Sequence, residues 1–319
     1  MKKFSVTKQR KWWWLLSSVV ILAGITSMIL SWTNPKIGSP LLRGLDFTGG
    51  SKLEYGLDCK VVNNCKPIDI VAVRELVKNQ GISDAIIQLA GKDFTGLSIA
   101  TKYLETDAID KLEAALNSKI GKLDPDRRNV LKVGATLGEE LFQNGLIAIF
   151  LSFGLILLYL TFRFRFDYAF FAFVALFHDV FITTGIFSIL GLVRGIEIDS
   201  LFVVAILTII GFSVNDTVVI YDRIREVISI NPDQPIDKIV DDAVNQTMSR
   251  SINTTLTVLL TLFSIYLFGG ETLKNFALCL IVGFTAGAYS SIFIASTLFG
   301  WWRANHPDTP KPTTVSSES

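Results

Sequence analysis

Charged residues and metal-binding side chains are scarce in this sequence. Aspartate, glutamate, lysine and arginine make up 18% of the 319 residues, and there are three cysteines and two histidines. Because His178 and His306 lie far apart and Cys279 lies in an apolar stretch, no spacing typical of a metal site occurs. We therefore predict neither a bound metal nor a cofactor.

Motifs of soluble enzymes and of nucleic-acid-binding proteins are missing as well. The sequence has no phosphate-binding loop ending in Gly-Lys-Ser/Thr and no Gly-x-Ser-x-Gly element. Its formal net charge is +1, and no basic stripe alternates with aromatic residues. These absences predict a protein that is not an enzyme, does not itself hydrolyse ATP and has no nucleic-acid partner.

Long apolar runs dominate what is present. Hydrophobic residues make up 50% of the chain and form six runs of roughly 20 residues, the length that spans a bilayer. The first run, 12–32, follows a basic segment, 1–11, and lacks a small-residue cleavage pattern, so we expect an uncleaved anchor. The other five runs, within residues 139–303, are Leu141–Phe162, Tyr168–Leu192, Ser200–Tyr221, Ser251–Phe268 and Asn275–Phe299.

Residues 33–138, between the first two spans, are polar and have the patterns of a separate domain. A strand with a kink at Gly49-Gly50 is predicted over Leu45–Leu57. The remaining predicted elements are helices over 67–80 and 106–120, a hairpin over 86–101 and a closing strand over 129–136. The order βαββαβ is that of a ferredoxin-like sandwich. The predicted fold is thus a six-span α-helical membrane protein with an inserted ferredoxin-like α+β domain.

Lysine and arginine are concentrated on one side of the predicted bundle. They cluster in 1–11, 163–165, 222–250 and 303–311. The short loops on the opposite side hold Arg194 and Lys274. By the positive-inside rule both termini are cytoplasmic, and the 33–138 domain is extracytoplasmic.

Two cytoplasmic segments follow from this orientation. Residues 222–250 form a loop in which Pro235 begins a short amphipathic helix. The tail, 304–319, is rich in Pro, Thr and Ser, and we expect it to be disordered.

Cys59 and Cys65 lie close together in the polar domain. An extracytoplasmic position is oxidising, so a disulfide between them is one possibility. Two reduced thiols in a loop insertion are the other.

Asp216 is a carboxylate within an apolar helix, and Arg250 begins the next span. A charge at membrane depth costs roughly 2.5–3.5 kcal/mol on insertion scales, so Asp216 must face protein or water. The two helices are antiparallel, which places both groups in the cytoplasmic half of the membrane. We predict that they form a proton relay. A static salt bridge is the alternative for the pair, and simple snorkelling is the alternative for Arg250.

Further polar residues accompany this pair. Ser213, Asn215, Asn253 and Thr254 lie next to it in sequence and are predicted to line a polar groove, or else to hold helices together. His178-Asp179 lies about ten residues into its span. This pair either joins the relay or is satisfied by neighbouring helices.

Several longer stretches carry a resemblance to a known family. They are Arg43–Gly50, Phe177–Val180, Gly211–Val219, Tyr221–Glu226, Ser249–Thr254 and Asn275–Leu278. In these stretches the sequence resembles the SecD/SecF family of protein-export subunits, within the resistance-nodulation-division superfamily, and the resemblance covers nearly the whole chain. The segment between Cys59 and Cys65 departs from the family pattern.

The resemblance implies one half of a proton-driven membrane complex. A SecD-like partner would supply the second half, and proton flow would help complete export of polypeptides through the SecYEG channel in the plasma (inner) membrane. Asp216 matches the functional carboxylate of the family and Arg250 its functional arginine. An exporter of small molecules or lipids from the same superfamily is the alternative function, and a scaffold that only stabilises the translocon is a third.

Overall fold

The computed structural model describes residues 4–306 apart from residues 36, 63, 83, 84 and 92. The start of the predicted segment 1–11 and most of the predicted tail 304–319 therefore lie outside the described residues. The chain divides into two units, one made of its N-terminal part and residues from Leu146 onward, the other of Arg43–Gly145.

Helices and a single sheet make up the described chain. In order, the elements are α1 Arg10–Thr33, α2 Leu45–Thr48, β1 Gly50–Gly56, α3 Ile70–Asn79, β2 Ile86–Ala90, β3 Gly96–Thr101, α4 Thr106–Ile120, a 3₁₀ turn Pro125–Arg127, β4 Asn129–Val133, α5 Ala135–Arg163, α6 Phe166–Arg194, α7 Ser200–Ile230, α8 Ile236–Phe268, α9 Glu271–Ser290, a π-helical segment Ser291–Ala295 and α10 Ser296–Asn305.

Six helices in the described part of the chain are long and apolar enough to cross a membrane. They are α1, α5, α6, α7, α8 and the continuous helix Leu273–Asn305, which joins α9, the π segment and α10. The six-span architecture predicted from the apolar runs is confirmed.

Residues 222–250, predicted to be a loop, are helical except for 231–235. Buried apolar residues such as Ile224, Val227, Ile239 and Val240 continue the helical spacing of the spans. A helix of 33 residues is roughly 50 Å long, whereas the hydrocarbon core is about 30 Å thick. The charges here therefore do not mark the end of a helix, and the short separate helix expected from Pro235 is part of α8.

The last span lies at the centre of the bundle. In its most apolar stretch of 18 residues, 61% of the residues are buried, whereas the corresponding stretches of α5 and α8 have 11% and 17% of their residues buried. Small residues permit close packing elsewhere: at Gly24 of α1 and Gly185 of α6, a Cβ on either residue would lie 2.8 Å from the Cα of the other. Such contacts drive helix association where lipid is as apolar as the side chains.

The smaller unit contains a four-stranded antiparallel sheet in the order β2-β3-β1-β4. Leu53 of β1 lies opposite Ile99 of β3 and Val130 of β4. Val73 of α3 and Leu112 of α4 complete the same buried core. The predicted ferredoxin-like βαββαβ domain is confirmed.

The first predicted strand, Leu45–Leu57, is shorter than expected. Its opening residues form the helical turn α2, in which the backbone amides of Phe47 and Thr48 donate to the carbonyl oxygen of Gly44. The strand begins at Gly50, whose φ of +129° favours glycine and whose Cβ would lie 2.2 Å from the Thr101 oxygen.

Cys59 and Cys65 are joined by a disulfide in the loop after β1. Within the enclosed segment, the Asn64 amide donates to the carbonyl oxygens of Asp58 and Lys122, and its oxygen accepts from the Lys122 amide. The disulfide thus closes a loop that is bonded to the turn after α4 through Asn64, the residue before Cys65.

We expect Gly24→Leu to destabilise the bundle. The added side chain meets the backbone of Gly185, and overpacking costs about 1–3 kcal/mol. The measurement is thermal unfolding in detergent, followed by tryptophan fluorescence. Gly154→Leu in α5 is the matched control because a Cβ there meets nothing within 4 Å. Equal melting temperatures for the two variants would contradict the tight contact.

Candidate functional site

Asp216 of α7 is bonded by serines from two other helical segments. Its side chain is half-buried. The Ser291 hydroxyl, at the start of the π segment, donates to Oδ2 at 2.5 Å, and the Ser251 hydroxyl of α8 donates to Oδ1. One carboxylate therefore links three helical segments, as expected of a polar group that lipid cannot hydrate.

Arg250 does not contact this carboxylate. Its side chain is exposed, and it makes no ion pair with any residue that the structure describes. Successive residues of an α-helix point about 100° apart, so Arg250 faces outward when Ser251 faces Asp216. The direct Asp216–Arg250 pair expected from the sequence is not formed. The participation of Arg250 in a proton relay stays a prediction.

Asp179 of α6 is a second carboxylate, and it is fully buried. Its Oδ2 accepts hydrogen bonds from the hydroxyls of Ser213, at 2.5 Å, and Ser290, at 2.8 Å. Its Oδ1 lies 2.9 Å from Nδ1 of His178. The other imidazole nitrogen, Nε2, lies 2.9 Å from the Ser17 hydroxyl of α1. The His178–Asp179 pair is therefore satisfied by neighbouring helices, which leaves its role in a relay untested.

Adjacent serines connect the two carboxylates. Ser290 bonds to Asp179 and Ser291 bonds to Asp216. On the opposite side, Ser213 and Asp216 lie three residues apart on α7, so their side chains are neighbours on one helix face. The serine pair stands where α9 changes to a π-helical segment, a rare form that occurs frequently at functional sites.

Three serines of this network were not predicted from the sequence. Ser17, Ser290 and Ser291 all contribute to the network, and each looks like an ordinary small residue of a span, where serine usually serves close packing. The available signal was the Tyr289-Ser290-Ser291 run, which places three hydroxyls side by side in an apolar helix.

Asn215 and Asn253, predicted to line the groove, face outward instead. Both side chains are exposed, and neither bonds to any of the described residues. Thr254 is also exposed, and its hydroxyl donates to the carbonyl oxygen of Arg250. Ser213 is the member of the predicted groove that joins the carboxylate network.

The chemistry that this arrangement supports is proton exchange. Carboxylates, imidazole and hydroxyl groups can each bind or release a hydrogen-bonding proton. Within the described residues, no group of three or more His, Cys, Asp or Glu side chains is placed to hold a metal ion.

We expect Asp179→Leu and Asp179→Asn to differ sharply in stability. Leucine leaves the donors on Ser213 and His178 unpaired, at about 1–3 kcal/mol each, while the Ser290 hydroxyl keeps the Gly287 carbonyl oxygen as an acceptor. Asparagine keeps an oxygen for the two serines and can donate its amide to the imidazole. Thermal unfolding in detergent should show a loss of at least about 5 °C for leucine and little change for asparagine. Equal losses would contradict the network.

Comparison with known proteins places this geometry in a family. Residues 112–305 match the model of the protein export membrane protein SecD/SecF, C-terminal family. The protein translocase subunit SecF of Synechocystis sp. is 48% identical over 302 residues, covering 94% of this chain and 95% of that protein. SecF of Vibrio alginolyticus is 35% identical, covering 88% of this chain and 83% of its own length.

Comparison with solved structures indicates the same family. The crystal structure of SecDF from Thermus thermophilus, described as a translocon-associated membrane protein, superposes with a TM-score of 0.77 at 28% identity. The match covers 94% of this chain and 39% of the SecDF chain. A SecDF structure in a super-membrane-facing form gives a TM-score of 0.65 at 27% identity, with 96% and 40% covered. The chain therefore belongs to the SecD/SecF family of protein export membrane proteins.

Proposed function

We propose that this chain is a subunit of the Sec protein translocase that uses the proton motive force to help complete the export of polypeptides through SecYEG. A SecD-like protein supplies the second half of the machine. The observation that carries the proposal is Asp216, a carboxylate on an apolar span that joins α7, α8 and the last span through serine hydroxyls. Relatives that are 48% and 36% identical to this chain are named as protein translocase subunits.

Protonation of Asp216 is the event that couples the gradient to movement. Ionised, the carboxylate accepts from Ser251 and Ser291; protonated, it is neutral and one of its oxygens becomes a donor. The charge at membrane depth thus changes by one unit. A membrane potential of 100 mV acts on such a charge with about 2.3 kcal/mol. That energy is comparable to the hydrogen bonds that hold the three helical segments together.

Polar side chains exposed on α7 and α8 are evidence that a partner protein covers this face of the bundle. Asn215 and Asn253 expose carboxamides that the described residues leave unbonded. Lipid cannot satisfy such groups, whereas a second half-bundle can. Arg250 is exposed on α8, and a partner that presents a carboxylate to this face would pair with it. The SecDF relative, whose chain is more than twice as long as the matched part, is consistent with a second half.

The proposed location is the plasma (inner) membrane, with both termini in the cytoplasm and the 33–138 domain outside. The distribution of Lys and Arg supports this orientation. The Cys59–Cys65 disulfide is suited to an oxidising, extracytoplasmic compartment. No observation favours the alternative, an exporter of small molecules or lipids.

We expect Asp216→Asn to abolish gradient-driven export. The variant keeps the shape of the side chain but cannot take up a proton. The measurement is the release of a late export intermediate from vesicles that contain the chain and its SecD-like partner, with and without a proton gradient. Asp233→Asn, at an exposed residue of the 231–235 connection, is the control and should match the wild type. Unchanged gradient-dependent release in an assembled Asp216→Asn complex would refute the proposal.

The orientation has its own test. After reduction, Cys59 and Cys65 should react with a membrane-impermeant thiol reagent added to the extracytoplasmic side of intact cells. Cys279 is buried in the last span and provides the unreactive reference when Cys59 and Cys65 are replaced by serine. Protection from the outside together with labelling from the cytoplasmic side would reverse the topology.

A further inference from the structure

We propose that Asp179 is a second proton-exchanging carboxyl in this half of the machine, and that Ser290 and Ser291 couple its charge to that of Asp216. The inference rests on the proposed function, because it takes Asp216 to exchange protons. It adds a buried site to the relay and assigns a role to the serine pair.

Each serine of the pair has two acceptors within reach. The Ser290 hydroxyl lies 2.8 Å from Oδ2 of Asp179 and 3.1 Å from the carbonyl oxygen of Gly287. The Ser291 hydroxyl lies 2.5 Å from Oδ2 of Asp216 and 3.2 Å from the carbonyl oxygen of Ala288. A hydroxyl carries one hydrogen, so it donates well to only one of its two acceptors at a time.

The choice between these acceptors follows the charge of the carboxyl. An ionised carboxylate is the stronger acceptor and draws the serine hydrogen. A protonated carboxyl is neutral and a weaker acceptor, so the serine hydrogen then turns to the helix carbonyl. Serine hydrogen bonds to the preceding turn tend to bend a helix. Each change of charge is thereby converted into a change in the backbone of the last span.

The local packing brings both carboxyls to this one position. Gly287 lies one turn before the serine pair, and a Cβ there would be 3.3 Å from Cβ of Ser213 and 3.6 Å from Oδ2 of Asp179. The absence of a side chain lets α9 approach α6 and α7 closely. The π segment that begins at Ser291 then interrupts the regular backbone bonding at the same level.

Few titratable groups face the two carboxyls. His178 bonds to Asp179 on α6, and Tyr289 of α9 reaches the imidazole through Ser17 of α1. From α8 the neighbour of Asp216 is a serine, and in the described chain no lysine or arginine bonds to either carboxyl. A change of charge on one of these acids alters the energy of charging the other, and we expect the two sites to respond to each other.

A hydrogen-bonded chain gives protons access to the buried carboxyl. The Ser17 hydroxyl lies 3.3 Å from the hydroxyl of Tyr289, which is half-buried and donates to the Trp13 carbonyl oxygen. In the inward step, the Nδ1–H bond of His178 breaks as an O–H bond forms on Asp179. For this step the Tyr289 hydroxyl turns from the Trp13 carbonyl oxygen toward Ser17. Nε2 takes the Ser17 proton, Ser17 takes that of Tyr289, and a hydronium ion at the half-buried side gives its proton to the phenol oxygen and leaves as water. Reversal of these transfers returns the proton.

The test is infrared spectroscopy of the assembled complex with its SecD-like partner in vesicles, titrated with pH. Protonated carboxyls absorb separately from carboxylates, and each band is assigned by its loss in Asp179→Asn or Asp216→Asn. We expect a titrating band from each residue. In Asp216→Asn the midpoint of the Asp179 band should move by at least about one pH unit, a tenfold change in proton affinity, because the neighbouring charge is gone.

Serine variants test the coupling directly. Ser290→Ala should shift the Asp179 band, Ser291→Ala the Asp216 band, and the double variant should shift both. Ser296→Ala is the control in the same span, because its hydroxyl bonds to the Ile292 carbonyl oxygen and to neither carboxyl. Band positions that are the same in all serine variants would overturn the role of the pair, even if Asp179→Asn failed to assemble.

The outcomes separate this inference from the function on which it rests. One outcome refutes the second site alone: the Asp216 band responds to pH and Asp216→Asn loses gradient-driven release, but the Asp179 band is absent or does not shift in Asp216→Asn. In that case the proposed function stands. If the Asp216 band itself does not respond to pH, the proposed proton coupling fails. In an assembled complex, Asp179→Asn should abolish the gradient-dependent part of release.

Discussion

The hydrogen bonds of Asp179 organise the centre of the bundle. A fully buried carboxylate has no water or lipid donors to satisfy it, so its donors must come from neighbouring side chains. Ser213 brings α7 to it and Ser290 brings the last span. His178 extends the same set of bonds to α1. The enclosed position of the last span follows, because it must face α6 and α7 at once.

The main features of the fold were predictable because each has a strong local signal. Apolar runs define six spans, and alternating and helical patterns define the βαββαβ domain. The start of the first strand was not predictable in this way. Two glycines with positive φ permit a helical turn before Gly50, and their conformations depend on the neighbouring backbone as well as on sequence. The helical 222–250 segment was missed because charge marks a membrane boundary and carries little information about helix ends.

The candidate site was predictable only in part. Asp216 stands out because it is a charge in an apolar run, and His178-Asp179 stands out for the same reason. The serines do not, since serine is common in spans as a small packing residue. The direction in which the Arg250 side chain points depends on the rotation of α8 about its axis. Neighbouring residues of a helix point about 100° apart, so this rotation decides whether Arg250 or Ser251 contacts Asp216. Sequence proximity cannot resolve such a rotation.

The five-residue connection between α7 and α8 gives the molecule a mechanical property. Ser251 lies fifteen residues from the first residue of α8, a length of roughly 22 Å along the axis. The helix is continuous over this length, so its first turns would move with any tilt near Ser251. A tilt of about 10° at Ser251 would displace the first residue of α8 by roughly 4 Å and would also move Asp241, which accepts hydrogen bonds from Ser5 and Thr7. The five-residue connection would pass that displacement to the end of α7.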